Sequence, residues 1–122
     1  MTYMPSYLAL HATGELEKRI AQAYARLRAC DICPRRCGVD RTRGEAGFCR
    51  AGLEPVVASW NVHPWEEPPI SGTRGSGTIF FTHCTGRCLF CQNYPISQPR
   101  GGYELPDAEL ADRIALAKET AT

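Results

Sequence analysis

The sequence predicts an α/β fold, in which a helix leads into a cysteine-rich knuckle and a later strand, cysteine loop and helix form the first unit of a βα repeat. Three observations predict it. Leu16, Ile20, Tyr24 and Leu27 recur at helical spacing and fall on one face. The run Thr78-Ile79-Phe80-Phe81-Thr82 is short and rich in β-branched and aromatic residues, as a buried strand is. Leu110, Ile114 and Ala117 share a helical face after Pro106 and form a core stripe. A parallel sheet closes only with further βα units, and none follows in this chain.

Each element has its local reason. Thr13 is placed to cap the first helix, with Glu15 and Glu17 in its first turn facing the helix dipole. The helix runs into Cys30-Asp31-Ile32-Cys33-Pro34-Arg35-Arg36-Cys37-Gly38, where Pro34 and Gly38 bend the chain. Residues 1–52 thus read as a helix plus a four-cysteine module. Residues 53–77 read as a Pro- and Gly-rich connector carrying one or two edge strands around Pro55–Trp60. Residues 78–122 hold the strand, the second cysteine cluster and a helix capped by Asp107. No internal repeat or low-complexity tract is present.

Composition excludes several classes of function. Of 122 residues, 43% are apolar and 22% charged, the balance of a chain that folds. The net charge of +1, from 14 basic and 13 acidic residues, selects no polyanionic partner. No run approaches the roughly 20 apolar residues of a membrane helix. The N-terminus lacks a basic flank and a long apolar stretch, so no secretory leader is expected and a cytoplasmic location is. Thiols stay reduced there, so seven cysteines in so short a chain suggest metal ligation rather than disulfides.

Cys84, Cys88 and Cys91 have C-x3-C-x2-C spacing on a loop that follows the predicted strand. Three thiolates so close can approach one face of an iron–sulfur cubane, with Gly86 permitting the turn. A cubane has four corners, so three protein ligands leave one iron open for chemistry. A structural zinc site using this triplet and a fourth ligand such as His83, or plain buried thiols, are the alternatives.

The spacing, with Phe90 directly before the third cysteine, resembles the cluster loop of radical S-adenosylmethionine enzymes. The flanks, Glu66-Glu67-Pro68-Pro69-Ile70-Ser71-Gly72-Thr73-Arg74-Gly75-Ser76-Gly77-Thr78-Ile79-Phe80-Phe81 before it and Gln92-Asn93-Tyr94-Pro95-Ile96-Ser97-Gln98 after it, are similar to the subgroup related to pyruvate formate-lyase activating enzyme. The resemblance implies that Cys84, Cys88 and Cys91 hold a 4Fe–4S cluster and that S-adenosylmethionine chelates the fourth iron. Reduction of the sulfonium would then release a 5′-deoxyadenosyl radical, an oxidoreductase-type chemistry, with Phe90 near the adenine. It also implies a truncated partial (β/α) barrel whose later strands lie beyond these residues, so that 78–122 is the start of a radical core. The implied partners are a reductant protein of flavodoxin or ferredoxin type, a second chain completing the barrel, and a glycyl radical enzyme. Unpaired strand edges and an uncovered helix face predict self-association where no partner covers them.

Cys30, Cys33, Cys37 and Cys49 give a second set, C-x2-C-x3-C-x11-C. Four thiolates suit a closed tetrahedral zinc site or an auxiliary iron–sulfur cluster, and Arg35, Arg36, Arg41 and Arg43 lie among them. A zinc-stabilised binding module without catalysis is the second class of function. Nucleic acid is a poor partner for it, because Phe48 is the lone aromatic near the basic run.

Overall fold

The computed structural model describes residues 4–65, 67–98 and 101–121, and side chains through residue 117; Glu66, in the connector, lies outside them. The chain divides into two compact units, Met1–Gly47 and Phe48–Thr122.

In the first unit, helix α1 (Ser6–Ala12) packs against α2 (Glu15–Ala25), which tightens into a 3-10 turn over Arg26–Ala29. Thr13 does not cap α2. Its hydroxyl donates back to the carbonyls of Ala9 and Leu10, 3.1 and 3.0 Å away, and closes α1 instead. Gly14, left-handed at φ 70°, occupies the N-cap position of α2 and turns the chain between the two helices. Glu15 and Glu17 do sit in the first turn, and Glu15 pairs with Arg19 one turn on. The predicted apolar stripe is largely open to solvent, with Ile20 and Tyr24 exposed.

The second unit is built on a three-stranded sheet, β1 (Val56–His63), β2 (Ser76–Phe81) and β3 (Tyr103–Glu104), in the order β2-β1-β3. Both pairings are antiparallel, Val57 lying opposite Phe81 on one side and Tyr103 on the other. This corrects the fold class: the unit is a small open antiparallel sheet with short helices, not the first βα unit of a parallel barrel. The physical reason lies in residues 64–75. Pro64, the short helix α3 (Pro68–Ser71) and Gly72 fold the connector back on itself, and the Gly75 N–H bonds the Ser71 carbonyl at 2.8 Å. A chain that doubles back this soon delivers an antiparallel partner, whereas a parallel one needs a longer crossover.

Edge and centre are also exchanged. The segment expected at an edge is the central strand, and the one expected to be buried lies at an edge with Phe81 47% exposed. The register shifts between Val57 and Ser59, a bulge that leaves Ala58 without a direct partner on β2.

Helix α5 (Asp107–Ala121) packs on β2 and β1. The Leu110 N–H bonds the Pro106 carbonyl at 3.0 Å, so Pro106 takes the cap position and Asp107 the first turn. Of the predicted stripe, Ala117 is buried, Leu110 half-buried and Ile114 exposed. The Arg113 guanidinium lies 5.1 Å above the Trp60 ring and adds a cation–π contact between α5 and β1. Val57 is fully buried, and Leu105 and Ala117 are nearly so. Complete burial of a side chain of this kind contributes about 1.5–3 kcal/mol.

Gly77 is where α5 meets the sheet. A β-carbon there would sit 2.8 Å from the Ala117 Cβ and 2.9 Å from its carbonyl oxygen. Gly77→Ala is therefore expected to destabilise the fold by about 1–3 kcal/mol in urea unfolding. Gly101→Ala, where a β-carbon meets nothing within 4 Å, serves as the near-neutral control.

Candidate functional site

The first unit holds three cysteines on one tight turn. The Cys30 N–H bonds the Val39 carbonyl and the Gly38 N–H returns to the Cys30 carbonyl, both at 3.0 Å, so the chain from 30 to 39 closes as a small double-bonded loop. The Arg36 N–H bonds the Cys33 carbonyl at 3.0 Å inside it. Cys30 is buried, with its sulfur accepting from Arg41 Nε at 3.2 Å. Cys33 and Cys37 are half-buried. Cys49, the fourth cysteine of the spacing, belongs to the second unit and is buried there.

In the second unit the loop after β2 carries Cys84, Cys88 and Cys91. The Thr82 N–H bonds the Val56 carbonyl at 2.9 Å as the last tie to the sheet, and the His83 ring hydrogen-bonds the Thr82 hydroxyl. Beyond this the loop is strapped by helix α4 (Tyr94–Ser97) and the residue after it. The Cys84 N–H bonds the Ser97 carbonyl at 3.0 Å, Gln98 Nε2 donates to the Cys88 carbonyl at 2.8 Å, and the Cys91 sulfur lies 3.4 Å from the Ser97 hydroxyl.

Gly86 sits between two of the sulfurs. The Cys88 and Cys84 sulfurs lie 3.5 and 3.6 Å from the position a β-carbon would take on Gly86, so a side chain there would rest in ordinary contact with both. Both cysteines are exposed. The backbone N–H of Arg87, and next that of Gly86 at 3.4 Å, hold the Cys84 thiol below its ordinary pKa, against a slight opposing effect of burial. Such donors stabilise the thiolate, which is the reactive form of cysteine.

The expected ligand sets are not assembled. Among the described residues, no group of three or more His, Cys, Asp or Glu side chains is placed to hold a metal ion. In the loop, Cys84 and Cys88 flank Gly86 while the Cys91 sulfur lies against Ser97. This donor set does not fit a 4Fe–4S cluster. The expectation of an open iron, of S-adenosylmethionine bound to it, and of a radical oxidoreductase is overturned with it. The same finding overturns zinc or an auxiliary cluster at Cys30, Cys33, Cys37 and Cys49, and with it the zinc-stabilised binding module. Phe90, expected beside an adenine, is 92% exposed, next to an equally open Leu89.

A cleft of about 40 Å³ opens beside the loop, lined by Cys84 and Cys49 with Arg50, His83 and Arg87, and walled by Ser97 and Gln98. Arg87 is held in place: its guanidinium lies 5.3 Å above the Phe48 ring and donates from Nη1 to the Phe48 carbonyl at 3.4 Å. Arg50, His83 and Arg87 all take left-handed backbone conformations, at φ 63°, 63° and 48°. Ser97 and Gln98 fall in the flank that carries the resemblance, but neither they nor Arg50 was expected as a site residue. Their only signal was position, Arg50 directly after a cysteine and the other two just past the loop, and no residue type marked them.

Two uncharacterized proteins of Methanocaldococcus jannaschii resemble the chain. The one named MJ0674 is 42% identical over 69 residues, covering 57% of this chain and 19% of the relative. The one named MJ0808 is 35% identical over 82 residues, covering 57% of this chain and 24% of the relative. The chain thus spans about a fifth to a quarter of the length of the curated relatives it matches. No family model matches, and no solved structure does. The likeness to pyruvate formate-lyase activating enzymes and other radical S-adenosylmethionine enzymes is therefore not sustained, since its ligand set is unassembled and the matching relatives are uncharacterized. No helix among the described residues is long and apolar enough to cross a membrane.

The lowered Cys84 pKa has a definite sign in solution. Its thiolate persists to lower pH than that of an ordinary cysteine, so alkylation at Cys84 should reach half its plateau rate below the ordinary thiol range of about 8.5. Gly86→Pro removes one N–H donor and should move that midpoint upward. Peptide mapping of iodoacetamide labelling across a pH series reads both.

Proposed function

We propose that the loop from Cys84 to Cys91 is a thiol-reactive site, with Cys84 as the attacking thiolate and Cys88 as the thiol that resolves its adducts. The observation that carries this reading is the pairing of two backbone donors on the Cys84 sulfur with an exposed second sulfur across Gly86. Donors aimed at a sulfur favour its anionic, nucleophilic form, and a neighbouring thiol gives the adduct an intramolecular route onward.

The chemistry balances as thiol–disulfide exchange. The Cys84 thiolate attacks one sulfur of a low-molecular-weight disulfide; the new S–S bond forms as the old one breaks, and the leaving thiolate takes a proton from water. Cys88, deprotonated, then attacks the Cys84 sulfur, closing a Cys84–Cys88 bond and expelling the second half of the reagent as a thiol. The protein dithiol is oxidised by two electrons and the small disulfide is reduced by two. A reductant protein would restore the dithiol, as the cytoplasm keeps thiols reduced.

The test is reaction of the reduced protein with 2-hydroxyethyl disulfide, a neutral reagent, followed by mass mapping of every cysteine. Wild type should close the Cys84–Cys88 bond, and Cys88→Ser should accumulate a mixed disulfide at Cys84. Cys84→Ser should slow modification of the loop by about tenfold, since attack depends on the available thiolate. Modification spread evenly over the seven cysteines and indifferent to Cys84→Ser would sink the reading.

A further inference from the structure

We infer that the cleft beside Cys84 binds the carboxylate of the incoming molecule, so that the loop selects anionic small disulfides over cationic ones. This rests on Cys84 being the reacting thiol and adds the chemical class of what it takes.

The charge of the cleft points one way. Arg50, His83 and Arg87 line it, and no Asp or Glu is among its lining residues. Two arginines, Arg50 and Arg87, line the cleft, and the planar fork of N–H donors on a guanidinium matches the two oxygens of a carboxylate. Ser97 and Gln98 line the remaining wall. Its volume of about 40 Å³ holds roughly three water-sized groups, by the rule that one water needs about 10–15 Å³. That is the size of a carboxylate head, with the rest of the molecule left outside.

Backbone geometry supports a built site rather than a chance gathering of surface arginines. Only four non-glycine residues among those described have left-handed backbone, and three of them are the three basic residues of this cleft. Residues with side chains adopt that conformation against a steric penalty, and such positions concentrate where surrounding structure holds a functional arrangement. Arg87 is further fixed by its stacking on Phe48 and its bond to the Phe48 carbonyl, so less freedom remains to be lost when an anion binds. Because Cys84 lines the same cleft, a carboxylate seated there brings a sulfur a few bonds away to the Cys84 thiolate.

Three disulfides of similar length separate the possibilities: 3,3′-dithiodipropionate, which is anionic; cystamine, which is cationic; and neutral 2-hydroxyethyl disulfide. Rates of modification at Cys84 are measured at low salt, where exposed charges act at longest range. The anionic reagent should outpace the cationic one by about tenfold, a typical electrostatic gain for a charged cleft. Arg87→Gln and Arg50→Gln should each cut that ratio several-fold, and succinate, which carries no sulfur, should slow iodoacetamide labelling of Cys84. Selective reaction at Cys84 with a ratio near one, unchanged in Arg50→Gln, would overturn the carboxylate site and leave the thiol reading standing. If no disulfide reacts selectively at Cys84, both fall.

Discussion

Everything functional in the second unit depends on the antiparallel pairing of β1 with β2. That ladder runs from His63 opposite Ser76 to Val57 opposite Phe81, and its final tie, the Thr82 N–H to the Val56 carbonyl, marks where the chain leaves the sheet. The cysteine loop begins two residues later. β1 also pairs with β3, so a single central strand fixes the start of the loop and, through the bond from the Leu105 N–H to the Pro55 carbonyl, the approach to α5. Val57, buried at the middle of this arrangement, has a cross-strand partner on each side.

How far the sequence could be read follows from which interactions were local. Helix α2 and the strand at 76–81 were legible because periodicity and residue type are properties of a few neighbours, and Glu15 and Glu17 fell in the first turn as their charge suggests. The direction of strand pairing was not legible. It depends on how residues 64–75 fold back, and the prolines that drive the turn read equally well as an extended connector. β3, two residues long, carries no periodic signal at all. Thr13 shows a local ambiguity of the same kind, since a threonine between two helices can cap forward or bond backward, and here it bonds backward.

The cysteines pose a sharper version of the problem. Spacing says how near the thiols are along the chain but not where their sulfurs point. In the loop, Gly86 brings two sulfurs to its flanks, whereas the bond network of α4 turns the third toward Ser97. A pattern that suggested three equivalent ligands has become one sulfur favoured by backbone donors, a second beside the same glycine, and one set against a hydroxyl. The distinction arises from residues 94–98, which hold the loop by four separate contacts and which no cysteine motif includes.

That strap also explains why the basic cleft and the reactive thiol belong together. Ser97 anchors Cys84 through its carbonyl while its hydroxyl faces Cys91, and both Ser97 and the adjoining Gln98 wall the cleft. Arg87, whose N–H favours the Cys84 thiolate, turns its side chain over Phe48 and along the same cleft. One residue thus stabilises the anion on the protein through its backbone and presents a cation to the ligand through its side chain. Its left-handed backbone connects the two roles, because the conformation that aims the N–H inward at the sulfur also sets the direction in which the side chain leaves the loop.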